Sequence, residues 1–309
     1  MNILNKNLAV LVLLIIATAL GSAYSYTSTE NSTAESEVRY AKDIRAVGIT
    51  DPYVNPEVKF SNLTSQEDKA ALSKDLEELG IAKSYVEDYM SYVDIYNEAA
   101  PNSVLDGWNT LDKVNYDSYA IYEKWIEKYP DFNGICCRMT AFTLLRDDIL
   151  VNNDQFKKIS EESLLFDMLS FDTMPTKYMT DKDLKLYENF YAPIPTTLST
   201  DKEEQKIVLA NALKERGIQF KNSKLKLFAL VVHDTVETNN PFLFIDHVGV
   251  SYEKDGSVYL LEKLAFQEPY QWIKFPSEEE IIKYFESKYN LDTTGQMADP
   301  IYMINDELH

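Results

Sequence analysis

Two adjacent cysteines, Cys136 and Cys137, are the only cysteines of the chain and the residues best suited to chemistry. They lie where a segment of residues that interrupt regular structure, 129–134, meets the apolar helical spacing of 141–149. A thiol in the first turn of a helix lies beside unpaired N–H groups and the positive end of the helix dipole, which favour the thiolate. Such surroundings lower the pKa of a cysteine to about 3.5–7.5. The position predicts a nucleophile, and the alternative is a buried, unreactive pair.

A structural disulfide between these two cysteines is not expected. Adjacent Cα atoms are about 3.8 Å apart, whereas the Cα atoms of disulfides are usually separated by about 4.4–6.8 Å. The bridge would also close no loop, so it would add little stability through chain entropy. A reactive thiol therefore explains the pair better than a structural bridge does.

A cysteine nucleophile needs a base, usually an imidazole, and a group that orients the imidazole. Only three histidines are present, and His309 is the terminal residue. His247 lies in a strand pattern that extends from Phe242 to Tyr252. His233 is the weaker candidate, because no hairpin places a carboxylate near it. The alternative for His247 is an unreactive histidine on a half-buried strand.

The hairpin that follows His247 predicts its partner. The Asp-Gly pair at 255–256 is of the kind that closes a two-residue β-turn, and this register places Gly249 opposite Glu262. His247 and Glu262 then project from the same face as diagonal neighbours, about 7–8 Å apart. A loop of odd length would bring Lys263 to that place instead.

The wider pattern predicts an α+β fold, in which N-terminal helices pack on a C-terminal antiparallel sheet. Ser or Thr followed three residues later by Glu, a capping box, marks helix starts at Thr64, Ser84, Thr200 and Ser277. One helix carries an aromatic stripe, which we assign to the core and not to a ligand: Tyr85, Tyr89, Tyr92 and Tyr96. Strand runs begin at Leu225, and residues 151–199 are predicted to be an irregular, acidic insertion.

The first 57 residues differ in composition from the rest of the chain. Residues 1–25 combine a single lysine with an unbroken apolar run from Leu8 to Leu20, which is typical of a secretory signal peptide. An uncleaved membrane anchor is the alternative. Residues 26–57 are predicted to be a flexible linker, and residues 58–309 a single domain. We therefore expect a secreted or cell-surface protein with no stable membrane span after signal removal.

Charge and motif content argue against several classes of partner. The formal net charge of −20 disfavours nucleic acid, which is itself a polyanion. Three scattered histidines and two adjacent cysteines lack the spacing of a zinc site, and neither a calcium loop nor a phosphate-binding glycine motif occurs. The sequence predicts no metal and no cofactor, and it leaves the oligomeric state open.

The order of these features resembles the papain-like cysteine peptidases, and most closely the NlpC-type endopeptidases and amidases of cell walls. The shared features are a cysteine at a helix start, a strand with His-Val-Gly-Val at 247–250, and a polar residue on the next strand. The resemblance implies that Cys137 is the nucleophile, His247 the base and Glu262 the orienting group. The backbone N–H of Cys137 and Asn133 would form the oxyanion hole.

Two features depart from the cell-wall enzymes. Those enzymes usually have an Asp-Cys-Ser-Gly type of sequence, where this chain has Cys-Cys-Arg at 136–138, and their third residue is often His, Asn or Gln. From about Phe60 onward, the chain also resembles an uncharacterised family of secreted proteins from low-GC Gram-positive bacteria. The matching stretches are Cys-Arg-x-Thr-Ala-Phe at 137–142, His-Val-Gly-Val at 247–250 and Glu-Lys-Leu-Ala-Phe at 262–266.

These features together predict a secreted cysteine hydrolase of peptide or amide bonds, with a peptide or a cell-wall component as its substrate. The alternative is a catalytically inactive scaffold with the same papain-like fold. Such a scaffold would bind an extracellular partner through its tyrosine-rich helices and the 151–199 insertion. Reactivity of the thiols distinguishes the two hypotheses.

Overall fold

A nine-stranded antiparallel sheet dominates the part of the chain that the structure describes. This computed structural model describes residues 53, 55–152, 164–221, 224–235, 238–266, 268–289 and 295–309. Within them, eight α-helices accompany the large sheet and a separate two-stranded sheet. The protein is therefore a mixed α+β protein, as the order of helical and strand patterns predicts.

Helices occur mostly in the first two-thirds of the described chain and strands mostly in the last third. In chain order the helices are α1 (Gln66–Glu78), α2 (Lys83–Ala99), α3 (Ser118–Lys128), α4 (Cys137–Leu145), α5 (Leu165–Thr173), α6 (Asp181–Tyr191), α7 (Lys202–Glu215) and α8 (Glu278–Tyr289). The strands are β1 (Lys59–Ser61), β2 (Trp108–Thr110), β3 (Ile149–Val151), β4 (Ile194–Pro195), β5 (Ile218–Phe220), β6 (Leu225–Asp234), β7 (Phe242–Lys254), β8 (Ser257–Lys263), β9 (Tyr270–Phe275), β10 (Ile301–Ile304) and β11 (Glu307–Leu308).

The strand order of the large sheet is β11-β10-β6-β7-β8-β9-β1-β2, and β4 pairs with the start of β7. β3 and β5 form the small sheet. Strand β7 is the longest strand, and β6 follows it along nearly its whole length. On its other edge, β4 pairs with Phe242 and Leu243, whereas β8 pairs only from Gly249 onward. The edge of β7 between these two pairings is where α4 approaches the sheet.

A β-bulge interrupts the β6–β7 ladder. Leu230 pairs with His247 and Val231 pairs with Ile245, so Asp246 has no opposite residue on β6. A bulge inserts one residue and thereby changes which face of the sheet the following side chains meet. Because of it, His247 and Ile245 lie on different faces, although they are two residues apart.

The two faces of the sheet are covered by two hydrophobic clusters. The larger cluster contains Ile245 and Val231 together with buried side chains of α2, α4 and α6. The smaller cluster contains Leu230 and the side chains of α8. The chain thus forms helix layers on both faces of one sheet, and His247 belongs to the face that α8 covers.

The predicted hairpin is confirmed in register. Gly249 lies opposite Glu262 and Lys254 opposite Ser257, with Asp255 and Gly256 between the strands. Both turn residues have positive φ, 50° and 73°, which is the backbone geometry of an Asp-Gly turn. The assignment of the tyrosine stripe on α2 to the core is also confirmed, because three of its four members are buried: Tyr89, Tyr92 and Tyr96.

Three of the predicted helix starts are displaced by one or two residues. Ser65, and not Thr64, accepts the capping bond of α1, and Asp201, and not Thr200, caps α7. Both are preferred cap residues that stand next to the predicted ones. Helix α2 begins at Lys83 without a side-chain cap. The capping box that the structure does contain, Thr180 with Asp183 at the start of α6, lies in the segment predicted to be irregular.

Several strands were not predicted. β9 is buried at five of its six positions, so it lacks the two-residue alternation that identifies a strand. β1 and β2 are only three residues long, and residues 59–61 reach the sheet by pairing with β9 and β2. The third predicted strand ends at Lys263 and not at Phe266.

The predicted signal peptide, residues 1–25, and nearly all of the predicted linker, 26–57, lie outside the described residues. Among the helices that are described, none has both the length and the apolar character needed to span a bilayer. The insertion predicted at 151–199 contains helices α5 and α6 in its described part. It is therefore more regular than its composition indicates.

Gly134, at the approach to α4, has no room for a larger residue. Its φ is +97°, and a Cβ atom would lie 2.9 Å from the carbonyl oxygen of Phe266. We expect Gly134→Ala to lower the free energy of unfolding by about 1–3 kcal/mol through this clash, in addition to about 1–2 kcal/mol for the left-handed backbone. Urea denaturation measures the loss.

Gly80→Ala is the matched control, because Gly80 has a similar φ of +100° but nothing within 4 Å of its Cβ position. This variant should show the backbone cost alone. Equal losses for the two variants would contradict the close contact between Gly134 and the loop after β8.

Candidate active site

Cys137 is the first residue of α4, and Cys136 is its N-cap. Both are free, buried thiols. The Sγ atom of Cys137 lies 3.6 Å from the carbonyl oxygen of Asp246, on the edge of β7 between β4 and β8. The side chains of Cys137 and His247 are close enough for each to shift the pKa of the other. The structure therefore places a thiol at a helix start directly beside the predicted base.

His247 and Glu262 form the predicted pair. The Nε2 atom of His247 lies 2.7 Å from Oε2 of Glu262, and both side chains are buried, with exposed fractions of 2% and 0%. Because Nε2 contacts Glu262, Nδ1 is the ring nitrogen left for Cys137. The three side chains therefore form one series in the order nucleophile, imidazole, carboxylate.

Helix α8 completes the surroundings of Glu262. The hydroxyl of Tyr284 donates to Oε1 of Glu262, and the ammonium group of Lys288 lies 3.6 Å from the same oxygen. The hydroxyl of Tyr289 lies 3.0 Å from Nε2 of His247, and its ring stacks on the imidazole at a centroid distance of 4.2 Å. The sequence analysis predicted this helix from the capping box at Ser277 but assigned its side chains no role at the site.

The charges of the series stabilise one another. Burial lowers the pKa of His247, but hydrogen bonds with Cys137 and Glu262 outweigh burial and raise it to about 9. Burial raises the pKa of Glu262, but the charge of Lys288 and the hydrogen bond with His247 outweigh burial and lower it to about 2. The series therefore favours an imidazolium and a carboxylate at neutral pH.

The two neighbouring thiols differ in acidity. A hydrogen bond from Cys136, followed by a hydrogen bond and the charge of His247, holds the pKa of Cys137 well below its usual range, although burial acts in the opposite direction. Burial is the main reason that the pKa of Cys136 lies well above its usual range. These shifts favour the thiolate at Cys137 and the neutral thiol at Cys136.

A buried ion pair stabilises the start of α4. Arg138 donates to both carboxylate oxygens of Asp167, from Nε at 2.8 Å and from Nη2 at 2.9 Å. The thiol of Cys136 lies 3.4 Å from Oδ1 of Asp167, and the hydroxyl of Tyr187 donates to Oδ2. Asp167 lies on α5 and Tyr187 on α6, so two helices of the predicted insertion contact the cysteine segment.

Arg138 also connects α4 to the strand that carries His247. Its Nη1 atom donates to the carbonyl oxygen of Ile245 at 3.2 Å, one residue before the bulge. The hydroxyl of Tyr191 donates to the carbonyl oxygen of Arg138. Arg138, Asp167 and Tyr187 were not recognised in the sequence, because ion pairs between distant segments leave no local pattern.

Asn133 and Lys263 are the other residues that the sequence singled out near the site. Asn133 is half-buried in the irregular segment before α4, and its role as an oxyanion donor stays a prediction. Lys263 does not lie opposite Gly249, as it would after a loop of odd length, because Glu262 takes that position. Its buried ammonium group donates to the carbonyl oxygens of Ala265, Phe266 and Glu268, and it therefore shapes the loop that contacts Gly134.

His233, the weaker candidate, has a structural position. Its Nε2 atom lies 2.8 Å from the carbonyl oxygen of Thr197, and its Nδ1 atom accepts a hydrogen bond from the backbone N–H of Ala298. These bonds require the neutral tautomer protonated at Nε2. Within the described part of the chain, no group of three or more His, Cys, Asp or Glu side chains could hold a metal ion.

Comparison with known proteins identifies a family but not an activity. A family model described as a domain of unknown function, DUF4300, matches residues 59–309. No curated protein and no solved structure matches the chain. The chemistry of the site must therefore be argued from its own residues.

We expect Asp167→Asn to lower the free energy of unfolding by about 3–5 kcal/mol, because the guanidinium group of Arg138 would remain without its counter-charge. Asp172→Asn, at an exposed position on the same helix, is the control for charge and helix propensity. Denaturant unfolding of both variants measures the difference. A loss below about 1 kcal/mol for Asp167→Asn would contradict the stabilising role of this ion pair.

The imidazole of His247 should titrate near pH 9 in a nuclear magnetic resonance experiment. In Glu262→Gln the pKa of His247 should fall, since the carboxylate that stabilises the imidazolium is lost. His233 is the internal control, because burial lowers its pKa and Glu262 is not among the groups that shift it. An unchanged titration of His247 in the variant would show that Glu262 does not act on it.

The two shifted groups also predict how stability depends on pH. The raised pKa of His247 contributes stability that is complete below 6.5 and is lost as the pH rises through about 9. The lowered pKa of Glu262 contributes stability that is complete above 4.5 and is lost as the pH falls through about 2. Both contributions are complete only between about pH 4.5 and 6.5. Thermal denaturation from about pH 2 to about pH 9 tests the prediction, because stability should decline on both sides of that range.

Proposed function

Since this chain belongs to the family of domains of unknown function DUF4300, we propose its activity from the candidate site: a cysteine hydrolase of peptide or amide bonds. The observation that carries the proposal is the series of Cys137, His247 and Glu262, in which His247 is hydrogen-bonded to Glu262 and lowers the pKa of Cys137. A thiolate at a helix start, next to an imidazolium that a carboxylate orients, is the arrangement that acyl transfer by cysteine requires.

In the proposed reaction, the thiolate of Cys137 attacks the carbonyl carbon of the substrate and forms a tetrahedral intermediate. The intermediate collapses when the proton on Nδ1 of His247 passes to the leaving amine, which departs as the C–N bond breaks. Water, deprotonated by the same nitrogen, then hydrolyses the thioester and releases the acid. Glu262 keeps Nε2 protonated and the ring in place throughout both steps.

The oxyanion of each tetrahedral intermediate needs hydrogen-bond donors. The backbone N–H of Cys137 is proposed as the first donor, because it is one of the unpaired N–H groups at the start of α4. Asn133, three residues before the N-cap Cys136, is proposed as the second. Arg138 and Asp167 act as positioning residues, since they contact the cysteine segment and β7 but not the reacting atoms.

We further propose that the core is papain-like, of the NlpC type. The features that support it are a cysteine at the start of α4, a histidine on β7 and its carboxylate partner on β8. The apolar run of residues 1–25 supports a secreted or cell-surface protein. A peptide or a cell-wall component is then the proposed substrate.

A second candidate function is a binding scaffold with the same fold and no turnover. The burial of the site favours it, because only 5% of Cys137 and 2% of His247 is exposed. A buried thiol beside a buried imidazole can serve packing alone. In that case the exposed surfaces of the helices would contact the partner, and neither thiol would react rapidly.

Alkylation of Cys137, followed by peptide mapping, tests the two functions against each other. The hydrolase predicts rapid reaction with iodoacetamide at about pH 6, well below the usual cysteine pKa of about 8.5. His247→Ala should shift this reactivity to higher pH by removing the imidazolium that stabilises the thiolate. Cys136 should remain unreactive in the same digest, because its pKa is raised.

His309→Ala is the matched control, since it removes an exposed histidine whose backbone pairs with Tyr302 on β10. Its alkylation profile should equal that of the unaltered protein. If both cysteines react only near pH 8.5 in the folded protein, the hydrolase proposal is wrong and the binding scaffold is favoured.

A further inference from the structure

Asp246 is the residue of the β7 bulge, and it lies next to the nucleophile. It has no opposite residue on β6, and its carbonyl oxygen is 3.6 Å from Sγ of Cys137. Its side chain is close enough to Cys137, Arg138 and His247 for their charges to affect its ionisation. The bulge therefore places the backbone of Asp246 at the reacting sulfur and its carboxyl group within range of the charge of Cys137.

The carboxyl group of Asp246 differs from its neighbours in exposure and in partners. Asp246 is half-buried, whereas Cys137, His247 and Glu262 are buried. Within the part of the chain that the structure describes, its carboxylate takes part in no hydrogen bond and no ion pair. A polar group of this kind beside a nucleophile is available to a molecule that approaches from solvent.

The other charges around Cys137 are paired. The thiolate faces the imidazolium of His247, Glu262 lies beside Lys288, and Arg138 is bound by Asp167. Arg138 is thus already neutralised, although it still lowers the pKa of Asp246. Burial, followed by the charge of Cys137, outweighs Arg138 and raises that pKa to about 7, and Asp234 acts in the same direction.

We propose that Asp246 binds a positively charged group of the substrate, an ammonium or guanidinium group, close to the bond that Cys137 attacks. This inference rests on the proposed function, since it names the class of substrate for the same thiol. The charges of Arg138 and His247 favour the carboxylate of Asp246 but do not outweigh burial and the charge of Cys137, and an approaching cation supplies further opposite charge. It also offsets the repulsion among Asp246, Asp234 and the thiolate. An anionic substrate group would increase that repulsion.

The test compares iodoacetamide with two derivatives that carry a quaternary ammonium or a sulfonate group on the same short arm. Each rate of Cys137 alkylation in the full chain is divided by the rate with a free small thiol, which removes intrinsic reactivity. The measurement is made at pH 8.5, where Asp246 is ionised. The normalised rate of the cation should exceed that of the anion.

Asp246→Asn should reduce the cation-to-anion ratio about tenfold. One unit charge at about 6 Å in a medium of high dielectric constant changes each rate by about threefold, in opposite directions for the two reagents. Asp255→Asn is the matched control, since it removes the same charge from the exposed hairpin turn. This control should keep the ratio of the unaltered protein.

The outcomes separate this inference from the proposed function. Slow alkylation of Cys137 by neutral iodoacetamide in the unaltered protein would overturn the hydrolase and, with it, the substrate class. Rapid alkylation with a cation-to-anion ratio near one in the unaltered protein would overturn only the role of Asp246. This measurement does not depend on whether a variant folds. An equal ratio in Asp246→Asn and the unaltered protein would overturn it as well.

Discussion

The buried carboxylate of Glu262 is the group on which the rest of the site depends. A carboxylate with no solvent exposure must find donors and positive charge inside the protein. His247, Tyr284 and Lys288 provide them, and they come from β7 and α8. The hairpin and the last helix thus both supply partners for one buried charge, and its hydrogen bond with His247 helps to raise the pKa of that imidazole to about 9.

A second buried charge connects the nucleophile to the rest of the chain. Asp167 on α5 binds Arg138 with two hydrogen bonds and also lies beside the thiol of Cys136. Arg138 then reaches the carbonyl oxygen of Ile245 on the strand of the base. The segment 151–199 is therefore more than a cover on one face. It contributes the counter-charge of Arg138, the residue that connects the cysteine helix to the histidine strand.

The two adjacent thiols have the same chemistry but different surroundings, and these surroundings make their acidities differ. Cys136, the N-cap, meets the carboxylate of Asp167 and stays protonated because burial disfavours its charge. Cys137, one residue later, meets Cys136 and His247 and is stabilised as the thiolate. The bulge adds the half-buried Asp246, whose carboxyl group is affected by the charge of Cys137. The pKa values of two adjacent cysteines are therefore shifted in opposite directions.

The residue pattern alone predicts a thiol at a helix start, the Asp-Gly hairpin and the diagonal pair of His247 and Glu262. These features follow from local rules, because a two-residue turn determines the register of every pair that follows it. The bulge lies before His247 and leaves that register intact. Arg138 with Asp167, and Tyr289 with His247, come from segments distant in sequence, and packing alone brings them together. Ion pairs and ring contacts between such segments carry no period, so only the folded chain determines them.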